Sequence, residues 1–221
     1  MREPARAPRA APAASGKGRR ERCRRFPYHT RVDAAALASD IHAFWFGAAP
    51  LVERAEWFRK DPAYDALIRS RFGEAIETAL AGGYADWSAT PRGALARILL
   101  LDQFTRNAFR DTPRAFAGDT LALELASQAV DAGFDTRMDR LERRFCYLPF
   151  EHSESPAAQE RSLALFGRLA RETGDTSPLQ WAEKHAVIVR RFGRFPHRNA
   201  ILGRVSTPEE IAFLQQPGSS F

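Results

Sequence analysis

From about residue 33 onward, apolar side chains recur every three or four positions. Tyr64, Leu67, Ile68, Phe72, Ala75, Ile76, Ala79 and Leu80 form one such stripe, ended by Gly82 and Gly83. Leu121, Leu125, Ala129 and Ala132 form a second before Gly133, and Met138, Leu141, Phe145 and Leu148 a third. Leu163, Phe166 and Leu169 follow, then Trp181, His185, Ile188 and Phe192. This spacing lays one face of a helix against a core. Residues 94–101 are apolar nearly all round, apart from Arg97, as a central helix should be. No stretch alternates with period two between turn signals, so strands are not expected.

A repeated dipeptide punctuates the stripes: Asp61-Pro62, Thr90-Pro91, Thr112-Pro113, Ser155-Pro156, Ser177-Pro178 and Thr207-Pro208. The Asp, Ser or Thr oxygen can accept from free N–H groups at a helix start. Proline at the first helical position lacks only an N–H that has no partner there anyway. Ser177 with Gln180, and Thr207 with Glu210, add capping-box spacing. The pattern predicts seven or eight helices, over 33–45, 62–81, 92–109, 119–132, 137–150, 156–173, 178–192 and 207–215. Short gaps make neighbours antiparallel, and side-by-side pairs make an α-solenoid-like body. A repeat of about 34 residues with a fixed pattern is absent.

The 221 residues are 44% hydrophobic, enough for a real core in one domain or two small ones. We expect residues 33–221 to form a single helical domain. Two cysteines, Cys23 and Cys146, exclude a disulfide-stapled scaffold. The net charge of +6 looks at first like a nucleic-acid signal. It is uneven: residues 1–32 carry ten Lys or Arg and two Glu, and the remainder carries a net −2. That first segment, rich in Arg, Ala, Pro and Gly, reads as a disordered basic tail. A nucleic-acid or lipid arm, an organelle presequence and a plain solvated tail compete for it, with Val32 an alternative start. No apolar run has the length of a secretory signal core or a membrane helix. The expectation is a cytoplasmic protein whose folded part meets neither nucleic acid nor membrane.

Polar chemistry interrupts the core in three blocks. In Asp102-Gln103-Phe104-Thr105-Arg106-Asn107, the most apolar helix turns polar. Asp102 and Arg106, like Gln103 and Asn107, stand i,i+4 and share a face. A network locking helix ends and a pocket where Arg106 or Arg110 meets an anion are both open readings. In Glu151-His152-Ser153-Glu154, His152 can act as base, ligand or cap. Ser153 lacks the elbow of a serine nucleophile. The third block is His185 with Arg190 to Asn199, where Arg191, Arg194 and Arg198 interleave with Phe195, Pro196 and His197. Guanidinium forks suit carboxylate and phosphate. His185 on an apolar stripe reads equally as a core histidine bonded to a carbonyl or carboxylate. Metal spacing is missing: there is no H-E-x-x-H, no C-x-x-C and no i,i+4 histidine pair. No metal and no cofactor are expected.

From about Ile41 onward the chain resembles the bacterial family called domain of unknown function 924. Phe44-Trp45-Phe46-Gly47, Leu101-Asp102-Gln103-Phe104 with Arg106-Asn107, and His152-Ser153-Glu154 with Gln159 carry the likeness. The longest block runs from Arg191 to Asn199 and on through Leu202-Gly203-Arg204 to Ser206-Thr207-Pro208-Glu209-Glu210. Thr105 stands where the family pattern has proline. The resemblance implies an all-α, tetratricopeptide-like right-handed superhelix and no particular activity. The motif positions make Gln103, Arg106, Asn107, Arg191, Arg194, His197, Arg198 and Asn199 candidate ligand-binding residues. As catalytic groups the sequence offers His152 or His185 as base and Glu154 or Asp102 as orienter. The first expectation is a binding module for a small anionic ligand or acidic peptide, with Arg106 and Arg198 as forks. A metal-independent, hydrolytic enzyme or a protein-interaction scaffold is the alternative.

Overall fold

The computed structural model describes residues 31–220, together with Met1. The tail readings of residues 1–32 fall almost wholly outside the described residues. Among the described residues the regular structure is helical, with no strand. The helices are α1 (Arg31–Phe46), α2 (Pro62–Leu80), α3 (Pro91–Ile98), α4 (Thr105–Ala108) and α5 (Asp119–Asp131). They continue with α6 (Arg140–Glu151), α7 (Pro156–Thr173), α8 (Ser177–Phe192) and α9 (Pro208–Leu214). Between α3 and α4 lies a π-helical segment, Leu99–Phe104, so 91–108 runs on as one rod.

Most of the dipeptide caps act as expected. Asp61 accepts from the N–H groups of Ala63 (2.9 Å) and Tyr64 (3.2 Å). Thr90 accepts from Gly93 at 3.2 Å, and Ser155 from Ala158 at 3.4 Å. Thr207 and Glu210 close a full capping box. Three starts differ from the sequence pattern. Ser177 is the first residue of α8 and not its cap; its N–H donates to Asp175 Oδ1 at 3.0 Å. Thr112-Pro113 opens a 3₁₀ turn, Pro113–Phe116, and the next helix begins only after Gly118. The chain at Gly118 runs against the central rod: a Cβ there would lie 2.2 Å from the Leu101 carbonyl oxygen. Helix α6 starts at Arg140 and not 137, because Asp139 and Glu142 form a capping box there. Three stripe positions also face water: Leu67 and Trp181 are 48% and 43% exposed, and Ala132 is exposed. Lys184 Nζ sits 4.0 Å over the Trp181 ring, which shares the solvent face of α8.

The core is centred on α3, buried on every side and packed by α1, α5 and α6. Its aromatic part joins Trp45, Trp57, Phe104 and Phe145, with Trp45 fully buried. The block Phe44-Trp45-Phe46 is therefore packing. Helix α2 lies on α4 and the π segment, while α6, α7 and α8 pack in sequence across short connections. These contacts bring the polar end of the central rod against the C-terminal end of α6 and the loop after α8. No helix of the described residues is long and apolar enough to cross a membrane.

Candidate functional site

The site starts from the π segment. π turns loosen the backbone ladder and recur at functional positions. Here the side chains that follow reach back to its carbonyls. Thr105 Oγ1 donates to Leu101 O (2.7 Å), Arg106 Nη1 to Asp102 O (2.7 Å) and Asn107 Nδ2 to Gln103 O (2.9 Å). Asp102, 1% exposed, is thereby held with its carboxylate facing the end of α6. Its Oδ1 meets His152 Nδ1 at 2.7 Å and Arg106 Nη1 at 2.9 Å, and its Oδ2 accepts from Gln103 Nε2 at 2.5 Å.

Arg106 also pairs with Asp119, at 2.9 Å to Oδ1 and 3.1 Å to Oδ2. Arg198, from the loop after α8, reaches the same Asp119 at 3.2 Å. Its guanidinium lies 4.7 Å from the ring centre of Phe116 and 4.6 Å from that of Phe195. Arg198 is 6% exposed and its buried Nε has no acceptor. Beside His152 stands His185, ring centres 6.1 Å apart. His185 Nδ1 donates to Trp181 O at 2.9 Å and lies 3.2 Å from Glu151 Oε1.

Burial and charge set the protonation states. Burial pushes the Asp102 carboxyl upward, but Arg106 and His152 outweigh it and hold it below the usual range. Burial lowers His152, against the pull of Asp102. His185 falls to about 3 and His197 to about 4, through burial and then through neighbouring positive charge. Burial raises Glu151 to about 8 and lowers Arg198 to about 10. At neutral pH the imidazoles are neutral. A carboxylate on Nδ1 requires Nδ1–H, so His152 presents its lone pair at Nε2. Water reaches the cluster on one side, where the Arg106, His152 and Asp119 side chains stay 19%, 15% and 22% exposed.

Glu154, Arg194 and Asn199 hold the loop that carries His197 and Arg198, while Arg191 and Asn107 bond elsewhere. Glu154 accepts from the Phe195 N–H (2.8 Å) and takes Arg204 on both oxygens (2.6 and 2.9 Å). Arg204 also donates to Asn199 Oδ1 at 2.9 Å. Arg194 meets Glu210 through two bonds of 2.6 and 2.7 Å, and Asn199, 1% exposed, donates to Glu210 at 3.2 Å. Arg191 pairs with Glu209 at the surface. Asn107 joins Arg110, which forks onto Asp65 at 2.6 and 2.8 Å.

Arg194, above all, holds the Glu210 carboxyl down to about 2, against an ordinary value of 4.5. A lowered carboxylate stabilises the fold above its unfolded value, and the contribution is lost as pH falls through the folded one. Acid titration of thermal stability should therefore show a loss from about pH 4.5 toward 2 that is smaller in Glu210→Gln. An unchanged acid limb in that variant would remove Glu210 from this role.

Asp102, Gln103, Arg106, His152, His185 and Arg198 thus come together, with His197 on the same loop. Glu154, Arg194, Asn199 and Asn107 stand one layer out, and Arg191 lies apart at the surface. Two members of the cluster escaped the spacing arguments. Glu151 continues the stripe of Leu141, Phe145 and Leu148, and a charge on that face was the available sign. Asp119 opens α5 with no such sign.

An all-helical protein with a buried Asp–His pair flanked by two arginines is the class that fold and site define. The chain belongs to a family described as bacterial protein of unknown function (DUF924), whose pattern matches residues 41–218. It is similar to a solved protein of unknown function from Agrobacterium tumefaciens, 44% identical, with a TM-score of 0.74. That likeness covers 83% of this chain and 99% of the other. No curated protein matches the chain.

Proposed function

We propose that the chain is a cytoplasmic receptor for a small anion: the carboxylate or phosphate of a metabolite or of an acidic peptide. Arg198 carries the reading. Its guanidinium is buried and stacked between Phe116 and Phe195, yet its Nε has no acceptor. A buried donor without a partner is costly, and a bound oxyanion would remove that cost. Arg106 lies on the same carboxylate, Asp119, and offers the second fork at the solvent side. The −2 charge outside residues 1–32 argues against nucleic acid. The packing order of α6, α7 and α8 supports the tetratricopeptide-like superhelix that the resemblance implies.

Thermal-shift screening with anionic metabolites tests the reading. A ligand at about a hundredfold its Kd should add about 2.7 kcal/mol, a rise of roughly 5–10 °C for a domain of this size. Arg198→Gln should abolish the rise and Arg198→Lys should not restore it, because lysine lacks the planar fork. No stabilising anion, or one indifferent to Arg198→Gln, counts against it. A second reading rests on the 2.7 Å Asp102–His152 contact, which orients His152 Nε2 as a general base for hydrolysis.

A further inference from the structure

From the placement of Glu151, His152 and His185 we infer a binding site for one divalent first-row transition ion, such as Zn(II) or Fe(II). It shares the cluster described above but does not depend on anion binding. Each of the three side chains offers a ligand atom, and these atoms lie within 4.8 Å of one another. Two imidazole nitrogens and one carboxylate oxygen form the donor set of catalytic zinc sites and of facial-triad iron sites. Magnesium and calcium prefer oxygen throughout. Ligand atoms about 2.1 Å from a metal stand roughly 3.4 Å apart, so rotation of the side chains closes the set.

The surrounding groups carry the argument further. Imidazole ligands nearly always donate their other nitrogen to a carboxylate or a backbone carbonyl. Both histidines here do so: His152 Nδ1 to Asp102 at 2.7 Å, and His185 Nδ1 to Trp181 O at 2.9 Å. In each ring Nε2 is thus the lone-pair nitrogen. Glu151 and His185 are buried, at 4% and 5%, while His152 keeps a path to solvent. Arg106 and Arg198 are matched by Asp102 and Asp119, so a cation does not meet uncompensated positive charge. Three protein ligands leave a position open. An anion held by Arg106 and Arg198 on the adjacent side suits it.

The probe is the metal alone, on the full-length chain after stripping with a chelator. Titration with Zn(II) should give one saturable site, thermal stabilisation absent with Mg(II), and a visible absorption band with Co(II). His152→Ala, His185→Ala and Glu151→Gln should each weaken binding by tenfold or more. Asp102→Asn should weaken it by about 10–100-fold through the oriented imidazole. Cys23→Ser, far along the chain, should leave it unchanged. If the variants fail to fold, the Co(II) spectrum of the unaltered protein decides. No 1:1 binding, or binding lost with Cys23→Ser and indifferent to His185→Ala, overturns the inference. Success would remove the metal-free base from consideration, because His152 Nε2 would be a ligand. Failure would leave the Arg198-dependent anion shift untouched.

Discussion

Asp102→Ala is expected to lower stability by about 3–5 kcal/mol, the cost of breaking a buried ion pair by removing one partner. The carboxylate is 1% exposed and ties three elements together. It holds Arg106 from α4, His152 at the end of α6 and Gln103 beside it in the π segment. Alanine leaves Arg106 leaning on Asp119 and on the carbonyl of residue 102, with one charge uncompensated. It also leaves the His152 Nδ1–H without its acceptor. Against a total of about 5–15 kcal/mol, that loss is a large share. Asp102→Asn keeps the shape and one acceptor oxygen, so its loss should be smaller. Urea unfolding measures both. A change below about 1 kcal/mol in Asp102→Ala would show that the carboxylate does not anchor the cluster.

Trp45→Ala should cost a similar amount, about 3–5 kcal/mol, by a different route. Trp45 is fully buried, its ring 5.4 Å from both Phe104 and Phe145 and 6.3 Å from Trp57. Truncation loses the transfer free energy of the ring and leaves a cavity between α1, the π segment and α6. Phe104 belongs to the π segment, so the wall next to the cavity is the one that carries Asp102. Trp45→Phe should lose clearly less, because it fills most of the space. The midpoint of urea unfolding decides. A shift equal for the two variants would mean that the core collapses around the gap.

These two changes also separate what local sequence could say from what it could not. The blocks Phe44-Trp45-Phe46 and Asp102-Gln103 both carry the family likeness. The first is aromatic core and the second a buried ionic centre, and only the packing of α1 against α3 distinguishes them. Arg194 and Arg198 lie four residues apart in one basic run. One is occupied on two sides by Glu210, and the other has a single bond to Asp119 and an unused Nε. Composition could not rank them, because the difference lies in which acid each meets.

Helices and most of their starts were legible because their causes are local. An apolar stripe follows from 3.6 residues per turn, and a Thr-Pro or Asp-Pro start from N–H groups two or three positions on. Asp102 and Arg106 could be paired on paper for the same reason. The centre itself joins groups far apart in the chain: Asp102 to His152 across 50 positions, and Asp119 to Arg198 across 79. Such contacts depend on how each helix is rotated about its axis and on the extra offset of a π turn, neither of which spacing encodes. Sequence alone therefore determined an all-helical chain with polar breaks at three places. Tertiary structure decided that the breaks meet, that Glu151 and Asp119 join them, and that two histidines stand beside one buried carboxyl.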